Sequence, residues 1–244
     1  MSGDLTGAVV VVVGGSGGVG EGVVRALVAA GATVIATGRE ERRLAALRER
    51  IAGPGRLVTE VLDTDVELDA RVRALAERHG PFDGVVFSVA SWGDQGRKPA
   101  LAITDDEWDH LIDANLTSGF RLLRAFVPVT KRTGMIARLD GMSAELPFPG
   151  AAVVALSGAA TKSLMRTVAA ELGGRGPRIY EVILGVVRTR ARQEAGVDDL
   201  RWLDGEEIGA HLGALVDGSS PLSGATVQYF VDKAAGPQAE LGRF

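Results

Sequence analysis

The sequence predicts one α/β domain, a doubly wound parallel β-sheet with helices on both faces. Three observations carry this. The run Ala8–Val13 is apolar at every residue and rich in valine, which is the pattern of a central strand buried on both sides. Strand-like and helix-like segments then alternate strictly as far as Val89, and parallel strands need such crossovers. Finally, 244 residues of which 46% are hydrophobic suffice for one sizeable core. No repeat, linker or low-complexity run divides the chain.

The elements follow in order. After the first strand comes a glycine-rich turn, then Glu21–Ala30 with helical spacing, ended by Gly31. Thr33–Thr37 is a strand, Glu40–Arg50 a charged amphipathic helix and Arg56–Leu62 a third strand. Val66–His79 is helical and stops at Gly80-Pro81, and Gly84–Val89 is a fourth strand. Thr104 and Glu107 have capping-box spacing and open a long helix through about Phe126. Met135–Leu139 reads as a strand, Ser157–Leu172 as a helix, Ile179–Leu184 as a strand and Glu206–Val216 as a helix. Thr226–Val231 closes the sheet. Lys131-Arg132 is expected at a helix C-terminus, where the helix dipole favours cations.

Composition narrows the function. A net charge of −4 disfavours a generic nucleic-acid or anionic-membrane surface. The absence of cysteine excludes disulfides and thiolate metal sites. No His/Asp/Glu group has metal-ligand spacing, so no metal site is expected. Met1–Thr6 lacks the basic start of a signal peptide and no apolar run is long enough to span a bilayer; a cytoplasmic protein is expected. With three histidines and two tyrosines, Tyr180 and Tyr229, side-chain acids and bases suited to neutral pH are scarce.

The segment Val13-Gly14-Gly15-Ser16-Gly17-Gly18-Val19-Gly20 joins a buried strand to an amphipathic helix. Glycines there let the backbone approach a pyrophosphate, whose charge the helix N-terminus favours. Gly14, Ser16, Gly18, Val19 and Gly20 are therefore candidate cofactor contacts. The second strand ends in Thr37-Gly38-Arg39. No acid stands there to bind ribose hydroxyls, and the Arg39 guanidinium suits a 2′-phosphate, so NADP(H) is expected over NAD(H).

These residues resemble the short-chain dehydrogenase/reductase family along essentially the whole chain. The resemblance rests on the Gly14, Gly18, Gly20 turn and on Asp63 after the third strand, where the family contacts adenine. It extends to Trp108–Phe126, with Asn115 at the family's catalytic asparagine, and to Gly185–Thr189, whose threonine usually touches the nicotinamide carboxamide. Ser223-Gly224 resembles the stretch before the last strand. The resemblance implies a Rossmann-type fold, with a dinucleotide-binding half over about 1–130 and a substrate and oligomer half over about 131–244. It further implies a small-molecule ligand and a homodimer or homotetramer, because the family's helices at Asn115 and Ala160 pack between subunits.

The resemblance breaks where chemistry is expected. Anchored on Thr167–Leu172 and run back without gaps, it sets Gly141, Val154 and Gly158 at the family's serine, tyrosine and lysine. The family's Asn-Asn-Ala-Gly after the fourth strand becomes Phe87-Ser88-Val89-Ala90, and its supporting threonine becomes Val13. Loss of general acid–base help alone corresponds to about 10²–10⁴ in rate. Asp140 and Ser143 are the candidate substitutes, with Glu145, Ser157 and Lys162 nearby in sequence; the plainer role of each is a surface polar group or helix cap. Asn115 likewise has a plain role as a mid-helix amide bonding backbone. Trp92 and Trp202 fall near the family's substrate loops, where they suit the wall of an apolar pocket, although packing is the commoner use of tryptophan. Three readings stay open: an NADP(H)-binding protein without standard carbonyl-reduction machinery, serving regulation, redox sensing or structure; an NADPH-dependent oxidoreductase with a non-standard proton donor; and a non-redox cyclase, isomerase or lyase.

Overall fold

A computed structural model describes residues 3–64, 67–93 and 96–242. Its first half is β1 (Val9–Val13), α1 (Gly18–Ala29), β2 (Thr33–Gly38), α2 (Glu41–Arg50), β3 (Arg56–Val61), α3 (Leu68–His79) and β4 (Phe82–Phe87). Then come α4 (Asp105–Ile112), a π turn at Asp113–Thr117, α5 (Ser118–Phe126), β5 (Thr130–Gly141), α6 (Ala152–Leu172) and β6 (Arg178–Leu184). The chain ends with β7 (Val187–Arg188), α7 (Arg190–Glu194), β8 (Leu203–Asp204), α8 (Gly205–Val216) and β9 (Val227–Phe230). Seven strands form one sheet in the order β3-β2-β1-β4-β5-β6-β9, all pairs parallel. The expected α/β fold, with helices on both faces, is the one observed.

Alternation along the buried strands builds two cores. Val10, Val12 and Val34 face α1 and α8, meeting Val23, Leu27, Ile208 and Leu212. Val11, Val13, Ile35 and Phe87 face the other way, against Val72 of α3, Leu122 and Phe126 of α5, and Met165 of α6. Among the described residues, no helix is long and apolar enough to cross a membrane.

Several boundaries differ from the sequence expectation, for physical reasons. The helix after the glycine turn starts at Gly18, so the glycines belong to its first turn. α6 starts at Ala152, five residues ahead of Ser157, and so carries Val154 as well as Gly158. β5 reaches back to Thr130, which pairs with Phe82 before a register shift brings Met135 opposite Gly84. Lys131-Arg132 thus lies on a strand and not at a helix end, and the Lys131 ammonium pairs with Asp83 at 2.7 Å. Val66, at the expected start of the third helix, lies outside the described residues, as do Met1 and Ser2 of the N-terminal segment.

α1 and α8 meet backbone to backbone. A Cβ at Gly22 would stand 2.5 Å from Gly205 Cα, and one at Gly209 would stand 2.5 Å from Ala26 Cβ. The helix leaving the glycine turn is therefore seated directly on the C-terminal half of the chain.

Candidate functional site

A cavity of about 300 Å³ opens beyond the carboxyl ends of β1 to β4. In open α/β sheets this is where ligands bind, at the point where the chain switches direction across the sheet. Here that point lies between β1 and β4, which are adjacent. The near wall is the glycine turn. Gly14 has φ +81°, and a Cβ there would stand 2.3 Å from Ser88 O, so only glycine lets β1 and β4 close at this spot. Gly14, Ser16 and Gly17 line the cavity; Gly18, Val19 and Gly20 form the first turn of α1. Gly17 caps that helix without a side-chain hydrogen bond, and first-turn amides have no partner inside a helix.

The far wall carries charge. Arg39, Glu40 and Arg43 line the cavity together. Arg43 donates to Ser16 O at 3.2 Å and pairs with Glu40 at 3.5 Å. This stretch sets two guanidiniums beside one carboxylate; the second carboxylate of the lining, Asp113, pairs with Arg121 at 3.2 Å. Leu62 and Thr64, on either side of Asp63, also line the cavity, as do Ser88, Ser91 and Asp113. Thr189 comes from the other half of the chain: its methyl would stand 2.8 Å from a Cβ at Gly18. The glycine turn, Arg39 and the residues on either side of Asp63 thus share one cavity, and Thr189 abuts the glycine turn at Gly18.

Asn115 is buried at 2% exposure inside the π turn. Its Oδ1 accepts from Ser91 N at 2.8 Å, and its Nδ2 donates to Ser91 O at 3.0 Å and Leu111 O at 2.9 Å. Both ends of the amide are engaged, so Asn115 ties the segment after β4 to the helix that runs past it.

A second cavity of about 350 Å³ lies beside the N-terminal end of α6. Val153 and Val154 form one side, with Trp92, Ile103 and Leu111 opposite, and Arg97, Lys98 and Arg192 also reach it. Val154 offers only methyl groups to this space. Ser143 sits on the turn after β5, its Oγ 3.9 Å from where a Cβ at Gly141 would be.

Asp140 turns the other way, into the protein. A Cβ at Gly158 would stand 2.9 Å from both of its carboxylate oxygens. The carboxylate thus fills the space that a side chain at position 158 would need. Asp140 Oδ2 lies 3.5 Å from Nε of Arg138, which is 3% exposed, and Glu181, fully buried on β6, lies 3.9 Å from the same nitrogen. Gly119 of α5 makes matching room, since a Cβ there would stand 2.9 Å from Arg138 Nη1. Alongside, Lys162 pairs with Glu145 at 2.5 Å, and Tyr229 donates to Glu145 at 3.2 Å. The cluster holds three carboxylates against two cations. Burial pushes the Glu181 carboxyl well above the usual carboxylate range, although nearby Arg138 pulls it down.

Sequence reasoning set Asp140, Glu145 and Lys162 near one another but missed Arg138 and Glu181, and of the second cavity it had only Trp92 and Val154. A usable signal was present for those two charges: Arg138 and Glu181 lie inside the runs Met135–Leu139 and Ile179–Leu184, which are otherwise apolar. For the rest of the second cavity there was none, since its walls come from four separate segments. Among the described residues, no group of three His, Cys, Asp or Glu side chains could hold a metal.

The geometry agrees with what the chain is similar to. A family model described as Enoyl-(Acyl carrier protein) reductase matches residues 13–217. The 3beta-hydroxysteroid dehydrogenase 1 of Eggerthella lenta is 30% identical over 80% of this chain and 76% of its own length. An uncharacterized oxidoreductase of Staphylococcus epidermidis is 26% identical over 82% of this chain and 86% of its own. A short-chain dehydrogenase/reductase of Serratia marcescens superposes with a TM-score of 0.76 at 26% identity, covering 87% of this chain and 91% of that one. One from Mycobacterium ulcerans covers 98% and 94% with a TM-score of 0.81; at 24% identity it speaks for the fold alone. The doubly wound sheet, the glycine turn at its switch point and these likenesses converge: the chain belongs to the short-chain dehydrogenase/reductase family, whose members are oxidoreductases.

Proposed function

We propose that this chain binds a nicotinamide dinucleotide, NADP(H) in preference to NAD(H), and does so without the serine, tyrosine and lysine that the family uses to reduce carbonyls. One observation carries the reading. A single cavity at the sheet's switch point joins the uncapped first turn of α1 to Arg39 and Arg43. The residues fit the group: first-turn amides suit a pyrophosphate, and Arg39 and Arg43 suit a 2′-phosphate, while the two carboxylates of the lining, Glu40 and Asp113, are each paired with an arginine. When bound, the nicotinamide supplies or accepts a hydride.

The chain's own residues do the rest. Gly14 and Gly18 let the backbone close on the cofactor, Thr189 borders its nicotinamide end, and Asn115 fixes Ser91 beside it. Residues of about 1–130 supply this cleft, whereas the adjoining cavity for a small molecule takes its walls equally from that half and from about 131–244. Val154 has no proton to give, and the absence of general acid–base help corresponds to about 10²–10⁴ in rate. Regulation, redox sensing or a structural role beside an active relative follows from that. Ser143, close to the vacated Cβ position of Gly141, favours a second reading: hydride transfer with a non-standard proton donor.

Calorimetry separates these. NADPH is expected to bind at sub-millimolar concentration and more tightly than NADH; binding of neither overturns the reading. The wild type is expected to leave simple ketones unreduced. Restoring the family's residues takes more than Gly141→Ser, Val154→Tyr and Gly158→Lys. The Asp140 carboxylate occupies the room of the new lysine, so Asp140→Ser must accompany them. That quadruple variant is expected to gain NADPH-dependent ketone reduction, whereas ketone reduction by the wild type would point to the second reading.

A further inference from the structure

We infer that the second cavity, beside Val154, is a site for an amphipathic organic anion, with Arg97 and Arg192 as the pair that recognises its charge. The inference deepens the reading above by naming the ligand class, and it rests on taking this cavity as the one that adjoins the cofactor cleft. Among the described residues, three cations and no carboxylate line the cavity, in a chain whose net charge is −4. Of the three, Lys98 is neutralised by Glu107. Arg97 and Arg192 have no carboxylate within ion-pair distance among the described residues.

Both guanidiniums are nevertheless held in place. Arg97 lies over the Phe148 ring, 5.0 Å from its centroid, and Arg192 lies over Trp202 at 5.6 Å. Arg192 also donates through Nη1 to Val187 O at 2.7 Å, which leaves its other nitrogens to a ligand. Aromatic faces fix the planar forks without consuming their in-plane donors, an arrangement suited to bidentate recognition of a carboxylate or phosphate. Arg97 comes from the segment ahead of α4 and Arg192 from α7, so the two approach from separate parts of the chain.

Among the described residues, the rest of the wall has no charge to offer. Val154, Ile103 and the half-exposed Trp92 present apolar surface, backed by buried Val153 and Leu111, and covering that surface drives binding of an apolar body. A ligand that satisfies both parts carries one oxyanion on an aliphatic or alicyclic frame. A wholly neutral apolar molecule leaves both guanidiniums unused. A small polar anion such as inorganic phosphate leaves the apolar wall wet.

The test is calorimetric titration of the full chain with octanoate, octyl phosphate and 1-octanol, each below its aggregation limit. One or both anions are expected to bind about tenfold or more tightly than the alcohol, as a charge-assisted pair provides. Preference between octanoate and octyl phosphate tells which oxyanion the pair accepts. Arg97→Gln and Arg192→Gln are each expected to weaken the preferred anion about tenfold and to leave octanol within about twofold. Both residues are exposed, so neither change threatens folding. Arg132→Gln, on β5 and away from the cavity lining, is expected to change nothing. Equal binding of anion and alcohol, no binding of any probe, or anion binding indifferent to both arginines overturns the inference. NADPH titrated into the same samples keeps the two readings apart. Nucleotide binding without anion binding sinks only this inference, and anion binding without nucleotide binding sinks only the cofactor assignment.

Discussion

Two glycines on neighbouring helices, Gly119 and Gly158, hollow out the space in which Arg138 and Asp140 lie buried. Glu181 completes the group from β6, and its oxygens make no hydrogen bond among the described residues. Moving an unpaired carboxylate out of water is expensive, so the proton stays on Glu181 in the folded chain over a pH range where the unfolded chain has lost it. The surrounding charges are Arg138 and Asp140 on β5, Lys162 on α6 and Glu145 before it. With the folded pKa raised above its ordinary 4.5, the folded state binds more protons than the unfolded state. Stability therefore falls as pH rises from that value through the raised one, by up to about 1.4 kcal/mol per pH unit. Glu181→Gln removes this titration. Thermal unfolding from about pH 5 to about pH 8 is expected to show the variant gaining on the wild type as pH rises; parallel profiles would refute it.

At the scale of elements, the π turn between α4 and α5 places Asn115 where its amide spans Ser91 and Leu111. Asn115→Ala leaves a buried backbone N–H and two carbonyls without their partner. It is expected to cost about 1–3 kcal/mol in denaturant unfolding and to weaken NADPH binding by loosening the segment after β4. A stability loss with unchanged nucleotide affinity would assign Asn115 to packing alone. Most elements were legible in the sequence because their periods are strong: all-apolar β1, the amphipathic α2, the capping box at Thr104. The β7–β8 pair was not, since two-residue strands have no period to read. The start of α6 was also hidden, because Ala152–Leu156 is apolar throughout and carries no cap. The cofactor wall could be read from local chain order. The buried cluster and second cavity arise from side chains distant in sequence, and only folding puts them together.

Across the whole molecule, the outer faces of α4, α5 and α6 keep large apolar side chains in solvent: Trp108, Phe120 and Leu156 are each more than two-fifths exposed. These are the helices expected to pack between subunits, and apolar groups left on a surface mark such contacts. A homodimer or homotetramer is expected by light scattering at micromolar concentration. Phe120→Glu with Leu156→Glu is expected to shift it to monomer without loss of helical signal, and a wild-type monomer would contradict the assignment.

The seam of Gly22, Gly205 and Gly209, where α1 and α8 touch through their backbones, has a mechanical meaning. Side chains between helices act as compliant spacers, since they can change rotamer. Bare backbone contact has no such slack. α1 therefore cannot press further toward α8, and the amides at its first turn have little room to shift in that direction. A site whose donors are already immobile loses little further freedom when an anion arrives, so more of the contact energy remains as affinity. The stiffness of the cleft is thus set by a joint between α1 and α8, elements far apart in the sequence.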